Sequence, residues 1–199
     1  ESKDIKFKNF NFKLSNKKIK KDLSNLLSEG NEILKSLTPV YKYKYSKQLI
    51  RKNIKEKVLR IIGMGGSVLG TQAIHDFMKH KIKKKIIFHN NLESNLKINQ
   101  NYTNIIVSKS GNTLETITNV NIIIKKNKKN IFITGQQDSY LKSLALKIKA
   151  EIIDHNNFIG GRYSVMSEVG MLPAELMGLK ESKFKQLNNL IKNKSFINS

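Results

Sequence analysis

The sequence predicts a doubly wound α/β domain, on three observations. Short apolar runs alternate with amphipathic segments through the middle of the chain, as expected of parallel strands joined by crossover helices. The runs themselves are continuously apolar, as strands covered on both faces must be. Two of them end directly in turns rich in glycine and in serine or threonine, Gly63-Met64-Gly65-Gly66-Ser67 and Ser108-Lys109-Ser110-Gly111-Asn112-Thr113.

The five strand candidates are Val58 to Ile62, Ile86 to Phe88, Ile105 to Val107, Ile131 to Thr134 and Ile152 to Ile153. Between them Leu69, Ala73 and Phe77 mark one helix. Leu114, Ile117, Asn121 and Ile124 mark another, with an inner face that is mostly apolar, and Leu141, Leu144, Ala145 and Ile148 mark a third. Ahead of the sheet, Ile19, Leu23, Leu26, Leu27, Leu34 and Leu37 recur at helical spacing. Ser15 to Ser36 therefore reads as an amphipathic helix, or a pair broken at Gly30, ended by Pro39. Tyr41, Tyr43 and Tyr45 alternate with Lys42 and Lys44, a short edge strand or packed linker in preference to a basic aromatic patch. The expected organisation is an amino-terminal helical arm over 1–45, the α/β domain over 46–180 and a helical connection over 181–199. There are no internal repeats and no low-complexity linker.

Composition narrows the class. A chain of 199 residues with 39% hydrophobic content can bury one substantial core. It has no cysteine, so disulfides, thiolate metal sites and cysteine nucleophiles are excluded together, which fits a reducing cytoplasm. No run of about 18 apolar residues is present, and the basic stretch from Lys3 to Lys21 lacks the apolar core of a secretory signal. A soluble protein is expected. The chain opens on Glu1 rather than Met, which reads as a start partway through a longer product.

The net charge of +22 raises nucleic acid as a partner. Yet only Arg51, Arg60 and Arg162 are arginines, and the lysines are spread among asparagines and isoleucines. A solvated lysine surface is the preferred reading, with no nucleic acid and no membrane as partners.

The chemistry is expected at the two glycine-containing turns, because ligands of such sheets bind beyond the carboxyl ends of the strands. Glycines let backbone N–H groups approach an anion, the following helix presents its positive end, and hydroxyls add donors without charge. Phosphate suits that set. A dinucleotide fingerprint would need glycine where Val68 stands and an acidic residue near His89 and Asn90. The nucleotide P-loop is missing as well, since neither turn closes on Gly-Lys-Ser or Gly-Lys-Thr. The alternative for each turn is a tight strand-to-helix connection and nothing more.

Asn112 followed by Glu115 reads as a capping box, which gives Glu115 a local role rather than general-base work. A third feature, Gly160-Gly161-Arg162-Tyr163-Ser164, follows the last strand. Its arginine offers a permanent charge with fixed donors for an oxyanion or a phosphate.

Gly63-Met64-Gly65-Gly66-Ser67, Ser108 through Thr116 and Gly161-Arg162-Tyr163-Ser164-Val165, in that order and at that spacing, resemble the glucose-6-phosphate isomerase (phosphoglucose isomerase) family over about Leu59 to Gly178. The resemblance implies the sugar isomerase fold and a chain that stops before the family's second domain. It implies that Ser67, Ser108, Ser110 and Thr113 hold a sugar phosphate through hydroxyls, helped by backbone N–H groups at Gly66 and Lys109. Gly161 and Arg162 would lie near the reacting carbons. The implied reaction interconverts glucose 6-phosphate and fructose 6-phosphate through a cis-enediol, with Arg162 stabilising its negative oxygen. No cofactor and no metal are implied, and the family suggests a homodimer.

The family's glutamate base and ring-opening histidine belong to motifs expected after Ser199. His75, His80, His89 and His155 match no catalytic position and are expected on helix surfaces or in loops. Asn112 departs from the family's usual threonine and Glu168 from its proline or alanine, which touches sugar preference, including mannose 6-phosphate, more than the phosphate donors. Two other classes fit less well: a noncatalytic sugar-phosphate sensor on the same fold, and a nucleic-acid module built on Lys42, Lys44 and the tyrosines.

Overall fold

The structure is a computed structural model that describes residues 21–22, 25–26, 28–92, 102–124 and 129–185. By compactness the chain divides into two units, 1–42 with 182–199, and 43–181.

In the smaller unit, the described part holds helix α1 (Glu32–Ser36), with the Asn31 side chain accepting from the Ile33 N–H at its start. Gly30 lies outside this helix, which ends before Pro39 as the sequence suggests. Residues 15–20, 23–24 and 27 of the periodic segment lie outside the described residues. Tyr41 is buried in this unit, with the Lys185 ammonium 5.0 Å from its ring centre.

The larger unit begins with Tyr43 and Tyr45, whose rings stack 4.9 Å apart. They belong to no strand, so the packed-linker reading holds here. Burial, with the Glu175 carboxylate close by, pushes the Tyr45 phenol far above its usual range. Helix α2 (Lys47–Asn53) follows, capped by the Ser46 hydroxyl accepting from the Leu49 N–H.

Five parallel strands then form one sheet in the order β2-β1-β3-β4-β5. They are β1 (Val58–Ile62), β2 (Lys85–His89), β3 (Thr103–Ser108), β4 (Asn130–Thr134) and β5 (Glu151–Asp154). Every strand expected from the sequence is present. The helices between them are α3 (Leu69–Met78), α4 (Leu114–Ile123) and α5 (Tyr140–Lys147), and α6 (Glu168–Leu176) follows β5.

Alternate residues of the strands feed two cores. Leu59, Ile61, Ile105, Val107, Ile131 and Ile133 pack with Val169, Leu172 and Leu176 of α6. Ile62, Ile106 and Phe132 pack with Val120 and Ile123 of α4 and with Leu141 and Ala145 of α5. Burial on both faces is what keeps these strands apolar throughout.

One row breaks the pattern. Arg60, Asn104 and Asn130 stand side by side in register near the amino ends of β1, β3 and β4, all buried. The Arg60 guanidinium lies 4.3 Å from the centre of the Tyr102 ring, and the Asn104 amide donates to the Asn130 side-chain oxygen at 2.8 Å. Charge and amide are thus offset by a π-face and by each other.

Two helices are turned differently from the sequence expectation. In α3 the buried residues are Thr71 and Ile74, while Leu69, Ala73 and Phe77 face outward, Phe77 with 80% of its surface exposed. In α4 the buried residues are Thr116, Asn119, Val120 and Ile123, while Leu114 and Asn121 are exposed. The Thr71 hydroxyl explains part of this: it donates to the Val169 carbonyl at 3.0 Å, so a polar side chain is satisfied inside. Asn119 likewise donates its amide to the Asn91 carbonyl at 2.7 Å.

Candidate functional site

Leaving β1, the chain forms β2 on one side of it and then crosses to β3 on the other, so the order of strand addition reverses between β1 and β3. The carboxyl ends of two strands at such a switch point are the usual ligand position of these sheets. Both glycine-containing turns open there.

The first turn is a short 3-10 helix over Gly65–Ser67 that leads into α3. Ser67 is half-buried on it. The second turn gathers its hydroxyls: Ser108 and Thr113 lie 3.1 Å apart, and Ser110 and Thr113 lie 3.4 Å apart, oxygen to oxygen. Two of these hydroxyls also order the backbone. The Gly111 N–H donates to the Ser108 hydroxyl and the Asn112 N–H to the Ser110 hydroxyl, each at 3.2 Å. Gly111 is needed in this bend on two counts. Its φ is +66°, and a methyl group on it would sit 2.1 Å from the Ser139 hydroxyl oxygen.

The third segment, after β5, is a 3-10 stretch over Gly161–Met166. It runs against the first turn, backbone to backbone: a methyl group on Gly66 would meet the Gly161 carbonyl carbon at 2.4 Å and the Arg162 nitrogen at 2.8 Å. Ser164 secures the bend by donating to the Gly161 carbonyl at 2.7 Å. Arg162 is exposed, its guanidinium 6.0 Å from the centre of the neighbouring Tyr163 ring.

The structure therefore brings Ser108, Ser110 and Thr113 into one cluster, and Gly66, Gly161 and Arg162 into another. Lys109 reaches sideways, with its ammonium donating to the Asn157 carbonyl at 2.7 Å. Hydroxyls gathered in this way at the start of a helix are suited to an anionic oxygen group.

Two expectations are corrected. Asn112 and Glu115 form no capping box: Thr113 is the residue before α4, and the Asn112 side-chain oxygen instead accepts from the Tyr140 N–H at 2.9 Å, at the start of α5. The neighbouring loop offers a second orphan N–H, and tertiary proximity decides which one is served. His89 lies buried at the end of β2 rather than on a helix surface or in a loop, whereas His155 is in the loop after β5, as expected, and is buried there. Burial pushes the His155 imidazole below its usual range, an effect partly opposed by its contact with the Asn156 carbonyl and reinforced by the nearby Lys109 charge. Its Nδ1 lies 3.0 Å from that carbonyl.

Asn157, whose carbonyl receives the Lys109 ammonium, and Gly135, whose N–H donates to the Lys109 carbonyl at 3.0 Å, act through backbone groups that no residue type announces in the sequence. Among the described residues no group of three or more metal-binding side chains occurs, and no helix is long and apolar enough to cross a membrane.

The five-stranded parallel sheet in this order, flanked by helices, is a fold that the chain shares with solved phosphosugar isomerases. A hypothetical protein of Thermus thermophilus superposes with a TM-score of 0.65 at 18% identity, over 88% of this chain and 47% of that one. The tagatose-6-phosphate ketose/aldose isomerase of Escherichia coli superposes with a TM-score of 0.54 at 14% identity, over 81% of this chain and 52% of that one.

Residues 11–197 match the family described as phosphoglucose isomerase, and the chain belongs to that family. The glucose-6-phosphate isomerase of Mycoplasma capricolum is 30% identical over 197 residues, which is 85% of this chain and 46% of that protein. This chain thus spans less than half the length of that relative.

Proposed function

We propose that this chain is the phosphate-binding half of an aldose–ketose isomerase that interconverts glucose 6-phosphate and fructose 6-phosphate through a cis-enediol. The cluster formed by Ser108, Ser110 and Thr113 at the end of β3 carries the reading. These hydroxyls, with Ser67 and the N–H groups of Gly66 and Lys109, hold the phosphate. The positive end of α4 adds to the attraction.

Gly161 and Arg162 then lie alongside the sugar, since Gly161 backs onto Gly66. Moving a proton between C1 and C2 leaves negative charge on an enediol oxygen. The Arg162 guanidinium stabilises that charge, an electrostatic contribution of about 3 kcal/mol when the group is preorganised. The base and the ring-opening acid come from outside this site. Glu168, the carboxylate nearest Arg162 in sequence, is buried and accepts the Lys44 N–H at 3.0 Å, so it is committed elsewhere. The same reading takes the working protein as a cytoplasmic homodimer that uses no cofactor.

Titration of the chain with fructose 6-phosphate, inorganic phosphate and a five-carbon phosphorylated aldonate tests the site. The aldonate, which mimics the enediolate, should bind most tightly and phosphate least. If neither sugar ligand binds better than phosphate, the reading fails. The chain by itself should show little or no isomerisation, so robust turnover would contradict the placement of the base.

A further inference from the structure

Lysines beside a phosphate site are expected to aim their charge at the anion. Lys109 does something else. Its ammonium donates to the Asn157 carbonyl at 2.7 Å, in the loop after β5. Its own carbonyl accepts two bonds, from the Gly135 N–H and from the Gln137 side-chain amide, each at 3.0 Å and both in the loop after β4. Its chain neighbours Ser108 and Ser110 belong to the hydroxyl cluster after β3. One residue thus joins the loops at the carboxyl ends of three adjacent strands.

The path continues from Asn157 to the site. The Phe158 N–H donates to the Asn156 side-chain oxygen at 3.0 Å, and the Ile159 N–H to the Asn156 carbonyl at 3.1 Å. Ile159 is fully buried, which anchors the loop immediately before the glycines. The Tyr163 N–H then donates to the Gly160 carbonyl at 2.9 Å, and Gly161 rests on Gly66 of the first turn. A chain of contacts thus runs from the hydroxyl cluster through Lys109 and Asn157 to the loop whose Gly161 rests on Gly66.

We propose that Lys109 is a positioning residue: through the Asn157 carbonyl its ammonium fixes the loop that carries Gly161 and Arg162 relative to the phosphate-holding hydroxyls. The inference rests on the isomerase reading for its consequence, because a sugar phosphate touches both parts whereas inorganic phosphate touches only the hydroxyl cluster. A charge-assisted bond to a backbone carbonyl is strong enough to select one loop position among several. A bare lysine reaching the phosphate would instead act on both ligands alike.

Lys109→Met keeps the apolar stem and removes the charge, and Lys109→Arg restores a cation able to reach the same carbonyl. Hydrogen exchange of the backbone amides in residues 157–163 and the dissociation constants of inorganic phosphate and fructose 6-phosphate are measured in all three proteins. For Lys109→Met, exchange in 157–163 should rise about tenfold, matching the loss of one charged hydrogen bond. Affinity for fructose 6-phosphate should fall about tenfold while that for phosphate changes less than about twofold. Lys109→Arg should recover much of both.

Equal losses for the two ligands would assign the ammonium to the phosphate and overturn the proposal. Unchanged exchange in 157–163 would overturn it as well. If the unsubstituted chain binds phosphate but no sugar phosphate, the isomerase reading fails, and the exchange measurement still decides whether Lys109 holds the loop.

Discussion

Gly66 and Gly161 come from strand-end loops 95 positions apart in the numbering, yet their backbones touch so closely that a methyl group on Gly66 would lie 2.4 Å from the Gly161 carbonyl carbon. No side chain intervenes, and neither backbone can yield without moving its turn. Gly66→Ala must therefore push the two turns apart. The expected cost is about 1–3 kcal/mol of stability, as for other overpacked sites. Chemical denaturation should show this loss, and titration with fructose 6-phosphate should show at least about tenfold weaker binding.

Arg162→Ala should separate charge stabilisation from binding. The side chain is exposed, so stability should change by less than about 0.5 kcal/mol. Affinity for inorganic phosphate should be unaffected. In a protein of the relatives' full length, turnover should fall by about a hundredfold or more, which steady-state kinetics would read directly. A larger effect on phosphate affinity than on turnover would reassign the arginine to the phosphate.

Ser110→Ala tests the hydroxyl cluster. Ser110 is exposed, and its hydroxyl serves the Asn112 N–H and faces Thr113. Loss of one bond to a dianion should weaken both phosphate and fructose 6-phosphate by about tenfold, near 1.5 kcal/mol. Calorimetric titration should find the two losses equal, in contrast to the unequal losses expected for Lys109→Met.

His155 gives a prediction in pH. Burial lowers its folded pKa below the ordinary value, so below about pH 6.5 the unfolded chain takes up a proton that the folded chain resists. Its contribution is complete above that pH and is lost as the pH falls toward the folded pKa. Urea denaturation from about pH 7.5 down to about pH 5 should show stability falling with acid. His155→Leu should make that slope shallower, because the group that binds the extra proton is gone.

Much of this fold is legible in the amino-acid sequence. The five strands were found because burial on both faces forces runs such as Val58 to Ile62 and Ile131 to Thr134 to be apolar without interruption. Helix α5 was read correctly on Leu141 and Ala145, which are buried. Of the stripe expected for α4 only Ile117 and Ile124 pack against the core, and the stripe expected for α3 faces outward. There the outward stripes contain Leu69, Phe77 and Leu114, while buried polar side chains such as Thr71 and Asn119 take their partners from distant segments. Hydrophobic periodicity misleads when a polar residue is satisfied inside.

In the two turns, the hydroxyls and glycines and their order are determined by the sequence alone, because a tight turn between a strand and a helix admits few residue types. The fold decided how they meet. Gly161 against Gly66, Asn112 serving α5 rather than α4, and Lys109 bound to Asn157 all join segments distant in sequence. Each involves a backbone group, and backbone groups are the same at nearly every position, so only the tertiary arrangement selects which carbonyl or N–H is near enough to be used.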